Sequence, residues 1–193
     1  MTYTIVELQQ GTCEWLDWRS QGIGASDAPA IMGENPWKSA DRWLREKLEN
    51  RRCPPNAAMA RGTALEPVAR KRYETLRGVN VSPACLQSVR HHWLRASVDG
   101  LAPNGDTVVE IKCGESVYRH SSTTRTVPGY YYGQLQHILA VTGLAEIDYF
   151  CFLPDRPEVH LCIPRDDGYI QRLLETEAAI WAKLTHLRGT VGR

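Results

Sequence analysis

The chain has 193 residues with a formal net charge of +1, 42% hydrophobic residues and 23% charged residues. This composition is typical of globular proteins and excludes disordered, collagen-like and low-complexity chains. No apolar run is long enough to span a bilayer, and the N-terminus lacks the basic and apolar regions of a signal peptide. We therefore expect one domain over residues 1–193, located in the cytoplasm and without a membrane partner.

Positive charge is concentrated in one part of the chain. Residues 42–77 carry ten Lys or Arg and four Glu, whereas residues 1–41 carry six acidic and two basic residues. Such a basic segment in a nearly neutral chain fits a face that binds a polyanion. Solvated helix surfaces would produce the same pattern, so both interpretations stay open.

Six cysteines are spread through the sequence, with no CxxC pair and no Cys/His cluster at zinc spacing. We expect reduced, mostly buried thiols rather than disulfides. They are Cys13, Cys53, Cys85, Cys113, Cys151 and Cys162.

Helical patterns dominate the first part of the chain. Ser26 to Gly33 predicts a short helix that ends at a glycine. Ser39 can cap a second helix, which a turn at residues 53–56 would end. A third helical pattern runs from Asn56 to Leu76. Because it contains Pro67, this segment predicts either a kink or a helix that begins near Thr63.

Short β-rich runs then follow, at residues 86–89, 93–98 and 107–113, with an Asn-Gly hairpin turn between the last two. Residues 121–127 are rich in Ser and Thr and predict a loop, whereas residues 130–142 predict a helix that Gly143 ends. Two strands at 147–153 and 159–163 precede an amphipathic C-terminal helix. This order predicts a mixed α/β domain.

The acidic and basic residues around the hairpin carry the clearest chemical signal. On a strand, Glu110 and Lys112 point to one face while Ile111 points into the core. If Asp99 lies on the neighbouring strand, two carboxylates come close enough to require a cation between them. Mg²⁺ or Mn²⁺ suits such oxygen ligands. The pattern is short, and a plain surface hairpin would also produce it.

Three other features accompany this pattern. Glu66 is an acid in a helix rich in Arg and Lys, where it could simply pair with Arg70 on the helix surface. Tyr131 and Gln134 lie one helical turn apart and point a polar pair out of an otherwise apolar helix. Arg19 and Ser26 precede a short helix whose N-terminus can hold an anion.

Together these residues resemble the phage lambda exonuclease-like family, the YqaJ-type viral recombinases of the PD-(D/E)XK nuclease superfamily. The resemblance covers about Trp18 to Pro154 and rests on five motifs that occur in the family's order. They are Arg19-x(4)-Gly24-Ala25-Ser26-Asp27, Arg61-Gly62 through Glu66, Ala96-Ser97-Val98-Asp99-Gly100-Leu101, Val109-Glu110-Ile111-Lys112-Cys113 and Tyr131-Tyr132-Gly133-Gln134-Leu135-Gln136. One departure is Val98, where the family often has proline.

The resemblance implies a restriction-endonuclease-like core and a role for each matching position. The metal ligands would be Asp99, Glu110 and the carbonyl of Ile111, with Glu66 acting directly or through water. Lys112 would orient or deprotonate the attacking water, and Gln134 would hold Lys112 or that water. A binding site for DNA and its 5′-terminal phosphate would contain Arg19, Ser26, Ser97 and Tyr131.

The function that the resemblance implies is Mg²⁺-dependent 5′-to-3′ digestion of linear double-stranded DNA. One or two ions would act, Mn²⁺ could replace Mg²⁺, and the 3′ single strands left behind would serve recombination by a phage strand-annealing protein. The resemblance also implies a trimeric ring and a phage or prophage gene expressed in a bacterial host. Two alternatives remain, a structure-selective endonuclease of the same superfamily and a non-catalytic DNA-binding or assembly module.

Overall fold

A mixed seven-stranded β-sheet forms the centre of the molecule in the computed structural model, which describes residues 2–51 and 57–191. The strands are β1 (Tyr3–Val6), β2 (Ile23–Gly24), β3 (Ser82–Ser88), β4 (Leu94–Leu101), β5 (Val108–Lys112), β6 (Glu146–Cys151) and β7 (Val159–Pro164). Their order is β1-β3-β4-β5-β6-β7, and β2 pairs in parallel with β4. Strands β5 and β6 are parallel, and the other neighbours in this order are antiparallel.

Helices cover both faces of the sheet. They are α1 (Cys13–Ser20), α2 (Ala28–Ile31), α3 (Ala40–Leu48), α4 (Ala57–Arg77), α5 (Glu115–Thr124), α6 (Gly129–Thr142) and α7 (Asp167–Val191), with one 3-10 turn at Ala25–Asp27. On one face α4 buries Ala69 and Tyr73 against Ile111 and Phe150. On the other face α6 buries its apolar side in the larger core cluster, and α7 packs outside it. The predicted mixed α/β fold with helices flanking a sheet is therefore confirmed.

Several local signals act as predicted. Ser39 caps α3 by accepting a hydrogen bond from the backbone N–H of Arg42, and Gly143 ends α6 with a φ of +74°. The hairpin turn between β4 and β5 is also present, with Gly105 at a φ of +75°. A capping serine thus begins α3, and glycines in left-handed geometry end α6 and form the hairpin turn, as their sequence positions predicted.

One prediction is wrong, one alternative of a second is excluded, and a third lies outside the described residues. The helical pattern predicted over residues 56–76 corresponds to α4, which is continuous from Ala57 to Arg77, so only the alternative of a helix that begins near Thr63 is excluded. Pro67 removes one backbone donor, but the burial of Tyr73 against the sheet stabilises the helix around it. The expected loop at 121–127 is helical as far as Thr124, because burial of Val117 and Tyr118 outweighs the weak helix propensity of Ser and Thr. The predicted turn at residues 53–56 lies outside the described part of the chain.

The cysteines in the described ranges are free, and Cys53 lies outside them. The ranges 2–51 and 57–191 contain no helix of sufficient length and apolar character to cross a bilayer. No sequence pattern predicted β1 or α1, because each is short and half-exposed.

The point where β4 and β5 separate is the feature that positions the candidate site. These strands pair at only two positions, Gly100 with Val109 and Leu101 with Val108. A side chain at Gly100 would place its Cβ 2.6 Å from a methyl of Val81 and 2.7 Å from one of Val109. Glycine therefore lets β4 pack tightly immediately before the strands part, and the gap beyond opens at Asp99.

Candidate active site

Asp99 and Glu110 face each other across this gap. Asp99 Oδ2 accepts a hydrogen bond of 2.7 Å from the backbone N–H of Ile111, where β4 no longer supplies a partner. Because the N–H and C=O of one residue in a strand point to the same edge, the carbonyl of Ile111 also faces the gap. The separated strands thus bring two carboxylates and one carbonyl oxygen to one place.

Glu110 is held by two donors and keeps one oxygen free. Its Oε1 accepts hydrogen bonds from Lys112 Nζ at 2.6 Å and from Gln134 Nε2 at 2.5 Å. Its Oε2 is buried and has no hydrogen-bond partner in the described structure. A buried carboxylate oxygen without a partner is costly, typically about 1–3 kcal/mol or more. A bound cation would satisfy it.

The acidic groups also repel each other. Burial and the neighbouring Glu110 raise the pKa of Asp99 well above its usual value, and Glu66 adds to this effect. Burial and Glu110 raise the pKa of Glu66 in the same way. Burial would lower the pKa of Lys112, but Glu110 and Asp99 outweigh it and raise that pKa above the usual value for lysine. Lys112 therefore holds its proton in this arrangement.

The donor set fits a hard divalent cation. No group of three or more His, Cys, Asp or Glu side chains within residues 2–51 and 57–191 is close enough to hold a metal by itself. Asp99, the free oxygen of Glu110 and the carbonyl of Ile111 nevertheless form the partial oxygen set that Mg²⁺ uses when waters and a substrate phosphate complete its shell. The cation would also relieve the repulsion that raises the pKa of Asp99.

Lys112 is surrounded by the other predicted catalytic groups. Its Nζ lies 3.5 Å from Gln134 Oε1 and 4.4 Å from the ring centre of Tyr131. Gln134 thus touches both Glu110 and Lys112, and the face of Tyr131 packs against the ammonium group. The structure brings these four predicted residues together.

Glu66 approaches the same site from α4. It is half-buried, hydrogen-bonds Thr63, and has Glu110 and Lys112 among its charged neighbours. Arg70, which could have been only a surface partner of Glu66, donates a 2.6 Å hydrogen bond from Nε to the carbonyl of Asp99. That bond joins α4 to the strand that carries Asp99.

A pocket of about 140 Å³ extends from the acidic groups to the predicted phosphate-binding residues. Arg19 donates a 2.7 Å hydrogen bond to the hydroxyl of Ser26, and its guanidinium lies 4.6 Å from the ring centre of Trp15. Trp15 Nε1 in turn donates a 2.8 Å hydrogen bond to the hydroxyl of Ser97. The lining residues are Gln10, Trp15, Trp18, Arg19, Gly24, Ala25, Ser26, Arg95, Ser97, Asp99, Glu110 and Gln134. Tyr131 instead contacts Lys112 and is not among them.

Sequence reasoning missed the second cation of this pocket. Arg95 is only 7% exposed; it donates to the carbonyl of Trp18, and its guanidinium lies 5.1 Å from the Trp18 ring centre. Trp15 and Trp18, which also line the pocket, were missed as well. Their spacing with Arg19 could have predicted that all three side chains share one face of α1, because residues three and four apart lie on the same side of a helix. No local pattern identified Arg95, which reaches the pocket from β4.

The wall that contains Ser26 is supported by Asp27 and Lys47. Asp27 Oδ2 accepts a hydrogen bond from the N–H of Gly24 and lies 3.3 Å from Lys47 Nζ. Lys47 also donates to the carbonyls of Arg19 and Gly22. Burial would raise the pKa of Asp27, but Lys47, Arg19 and the Gly24 N–H lower it to about 2.

Comparison with known proteins gives the same assignment as these motifs. The model of the YqaJ-like viral recombinase domain matches residues 14–145, which is most of the chain. The chain belongs to this family. The uncharacterized protein YqaJ of Bacillus subtilis (strain 168) is 27% identical over 177 residues, covering 87% of this chain and 54% of that protein. The chain thus spans about half the length of that relative.

Solved structures extend the comparison of this YqaJ-family chain. An alkaline exonuclease, LHK-Exo from Laribacter hongkongensis, is 29% identical with a TM-score of 0.83, covering 94% of this chain and 97% of that one. The same enzyme in complex with dAMP is similar at 28% identity, with a TM-score of 0.83 and coverage of 93% and 96%. A phage-related exonuclease from Haemophilus somnus 129PT shares the fold, with a TM-score of 0.64 at 16% identity, covering 88% and 96%. These findings confirm the predicted family, and the solved structures that the chain is similar to are exonucleases.

Proposed function

We propose that this chain is a metal-dependent exonuclease that digests one strand of linear double-stranded DNA from its 5′ end. One observation carries the proposal: a single pocket joins Arg19, Ser26 and Ser97 to Asp99 and Glu110. A terminal phosphate held at the first group would place the adjoining phosphodiester beside the second. Such positioning favours ends over internal sites, since only an end offers a phosphate dianion.

Asp99, Glu110 and the carbonyl of Ile111 would hold Mg²⁺, with Glu66 acting directly or through water. When bound, one or two such ions supply an activated water and relieve charge on the leaving 3′ oxygen. The free oxygen of Glu110 and the raised pKa of Asp99 support this ligand set. Mn²⁺ has the same ligand preferences and can replace Mg²⁺.

Lys112 would stabilise the reaction electrostatically. Because it is protonated among Glu110 and Asp99, it serves better as a donor to the attacking water and to the phosphoryl oxygens than as a general base. Gln134 would keep Lys112 and Glu110 in position, since it hydrogen-bonds both. The ring of Tyr131 limits where the ammonium group can move.

Arg19 would bind the terminal phosphate, with Ser26 and Ser97 as hydroxyl donors. Arg19 already contacts Ser26, and Trp15 connects Arg19 to Ser97, so the three groups converge before any ligand binds. The similar Laribacter enzyme was solved with dAMP, a single nucleotide with one phosphate. That ligand supports a site of mononucleotide size.

The remaining elements of the proposal concern partners. The basic residues within 42–77 would follow the duplex backbone without reading bases. We further propose a ring of three chains around the DNA, a phage annealing protein that takes up the 3′ single strand, and action in the cytoplasm of a bacterial host. These elements rest on the family resemblance.

Strand-resolved digestion tests the proposed function. A linear duplex with a different label on each strand is incubated with Mg²⁺ or with EDTA, and with 5′-phosphate or 5′-hydroxyl ends. We expect Mg²⁺-dependent nucleotide release from 5′-phosphorylated ends and an intact closed circular duplex. Cleavage of the closed circle would favour the endonuclease alternative. DNA binding without release in Mg²⁺ or Mn²⁺ would favour a non-catalytic module.

A further inference from the structure

We propose that Trp37 and Tyr130 form a stacking site for an unpaired nucleobase of the DNA. This proposal deepens the proposed function and rests on it, because it requires that DNA enter the site around Lys112. The ligand is a base with an open face, from either the strand being digested or its complement. Trp37 lies between α2 and α3, and Tyr130 lies in the first turn of α6.

Trp37 is exposed and yet fixed in place. Its exposed fraction is 68%, which is unusual for the largest apolar side chain. Asn35 Oδ1 accepts hydrogen bonds from the backbone N–H groups of Trp37 and Lys38, at 2.8 and 3.0 Å. The indole meets the ring of Tyr130 at a centroid distance of 5.0 Å and an interplanar angle of 74°. This edge-to-face contact leaves a broad aromatic face open for a ligand.

Consecutive ring contacts connect Trp37 to the candidate active site. The rings of Tyr130 and Tyr131 lie 4.7 Å apart, and Lys112 Nζ lies 4.4 Å from the ring centre of Tyr131. The exposed indole is therefore continuous with the group proposed to act on the scissile phosphate. A strand that passes Lys112 would bring its neighbouring bases to these rings.

The surroundings suit a nucleotide whose base packs on the rings. An open pocket of about 490 Å³ lies on the Tyr130 side of the aromatic pair and is lined by Glu34, Pro36, Gly129, Tyr130 and Tyr132. Glu34 does not favour a phosphate there, so the apolar rings would receive the base. Lys38 and Arg42 flank Trp37; Arg42 Nη1 lies 3.5 Å from the Trp37 carbonyl. Lys38 and Arg42 both form ion pairs with Glu46. These three side chains together carry one net positive charge, which can attract the phosphate next to the stacked base.

Stacking explains these features better than a sequence-reading role. Every base has a π-face, so an aromatic platform binds unpaired DNA without preference for sequence. An exonuclease needs a site that accepts all four bases, because it must bind each successive nucleotide of the strand. The geometry points to single-stranded DNA, and a contact with a second copy of the chain is an outcome that the test distinguishes.

The test measures binding of partial duplexes that carry the fluorescent base 2-aminopurine in an unpaired tail. All measurements are made in EDTA, and the tail is placed at the 5′ end of one strand or at the 3′ end of its complement. We expect that binding of the protein quenches the fluorescence of 2-aminopurine in one of the two tails. The tail that is quenched identifies the strand that supplies the stacked base. Trp37→Ala and Tyr130→Ala should each weaken binding of that substrate by about 5- to 150-fold, while Trp37→Phe keeps most of the affinity.

Val89→Ala is the matched control, because Val89 is also a highly exposed apolar residue, at 63%. It should change neither quenching nor affinity. Unchanged affinity in Trp37→Ala would overturn the proposal, and so would a change in sedimentation without a change in DNA binding, which would assign the surface to a subunit contact. The two proposals can fail separately. If the unmodified chain shows no Mg²⁺-dependent digestion but Trp37→Ala still weakens binding of the tail, the proposed function is wrong and the stacking site stands.

Discussion

Asp99 supplies the hydrogen-bond partner that Ile111 loses where β4 and β5 separate, with Oδ2 2.7 Å from the backbone nitrogen. The same carboxylate is half of the acidic pair across the gap. One side chain therefore completes the end of the strand ladder and faces the place of a divalent cation. Its two roles can be separated by substitution, because asparagine keeps an acceptor oxygen and removes the charge.

Asp99→Asn should abolish cleavage without loss of stability. The asparagine oxygen can still accept from Ile111, and removing a charge beside Glu110 relieves the repulsion that raises the pKa of Asp99. Asp99→Ala should instead cost about 1–3 kcal/mol, because the Ile111 N–H is left without a partner. Thermal unfolding with and without Mn²⁺ checks this prediction. Mn²⁺ should raise the Tm of the wild type only, and an equal rise in Asp99→Asn would place the metal elsewhere.

Lys112→Met should reduce cleavage by about 10²- to 10³-fold, the usual cost of removing one preorganised charge-stabilising donor. Methionine keeps most of the side-chain bulk against Tyr131, so DNA affinity should stay within about twofold. The two measurements are nucleotide release with Mg²⁺ and equilibrium DNA binding without it. Lys183→Met on the exposed surface of α7 is the control. Turnover near the wild-type rate would remove Lys112 from the mechanism.

Arg19→Ala should reduce the preference for 5′-phosphorylated over 5′-hydroxyl ends by about tenfold or more. A hydrogen bond to a charged group contributes about 1.5–3 kcal/mol, and a tenfold change corresponds to about 1.4 kcal/mol. Arg19→Lys should recover only part of this preference, because lysine lacks the planar two-donor geometry. Initial rates on the two ends provide the ratio. A ratio equal to that of the wild type would show that the phosphate binds elsewhere.

The sequence predicted those parts of the site that depend on local periodicity. Strand alternation placed Glu110 and Lys112 on one face, as the structure has them. Helical spacing pointed Tyr131 and Gln134 out of one side of α6, but only the family resemblance connected Gln134 with Lys112. Contacts between distant segments could not be predicted in this way. Trp15 meets Ser97 across 82 positions, and Arg95 enters the pocket from a strand with no local sign of its role. Helix α5 was missed for the same reason, because tertiary burial of Tyr118 determines it.

Asp27→Asn should destabilise the fold by about 2–3 kcal/mol at pH 7. The pKa of Asp27 is about 2 in the folded chain and about 3.9 in an unfolded one, and each unit corresponds to about 1.4 kcal/mol. Because the folded pKa is lowered, this stabilisation is present above pH 4 and is lost as the pH falls toward 2. Urea unfolding at pH 7 and pH 3 checks the trend, with Asp155→Asn in an exposed turn as the control. A pH-independent difference would contradict it.

His137→Ala should cost about 3–5 kcal/mol, because it leaves a buried carboxylate without its partner. His137 and Glu177 are both fully buried, 2.8 Å apart, and His137 Nε2 lies 2.9 Å from the carbonyl of Arg95. This pair joins α6, α7 and β4 beneath the pocket. Denaturant unfolding measures the cost, with the exposed His186→Ala as the comparison. A loss below about 1 kcal/mol would show that the pair is not needed for stability.

The location of a divalent cation tests the central claim most directly. Crystals of the chain soaked in Mn²⁺ would be measured at a wavelength where manganese scatters anomalously. We predict a peak within ligand distance of both Asp99 and Glu110, on the side of the free Glu110 oxygen and the Ile111 carbonyl. A peak bound to other residues, or none at a concentration that supports cleavage, would contradict the account.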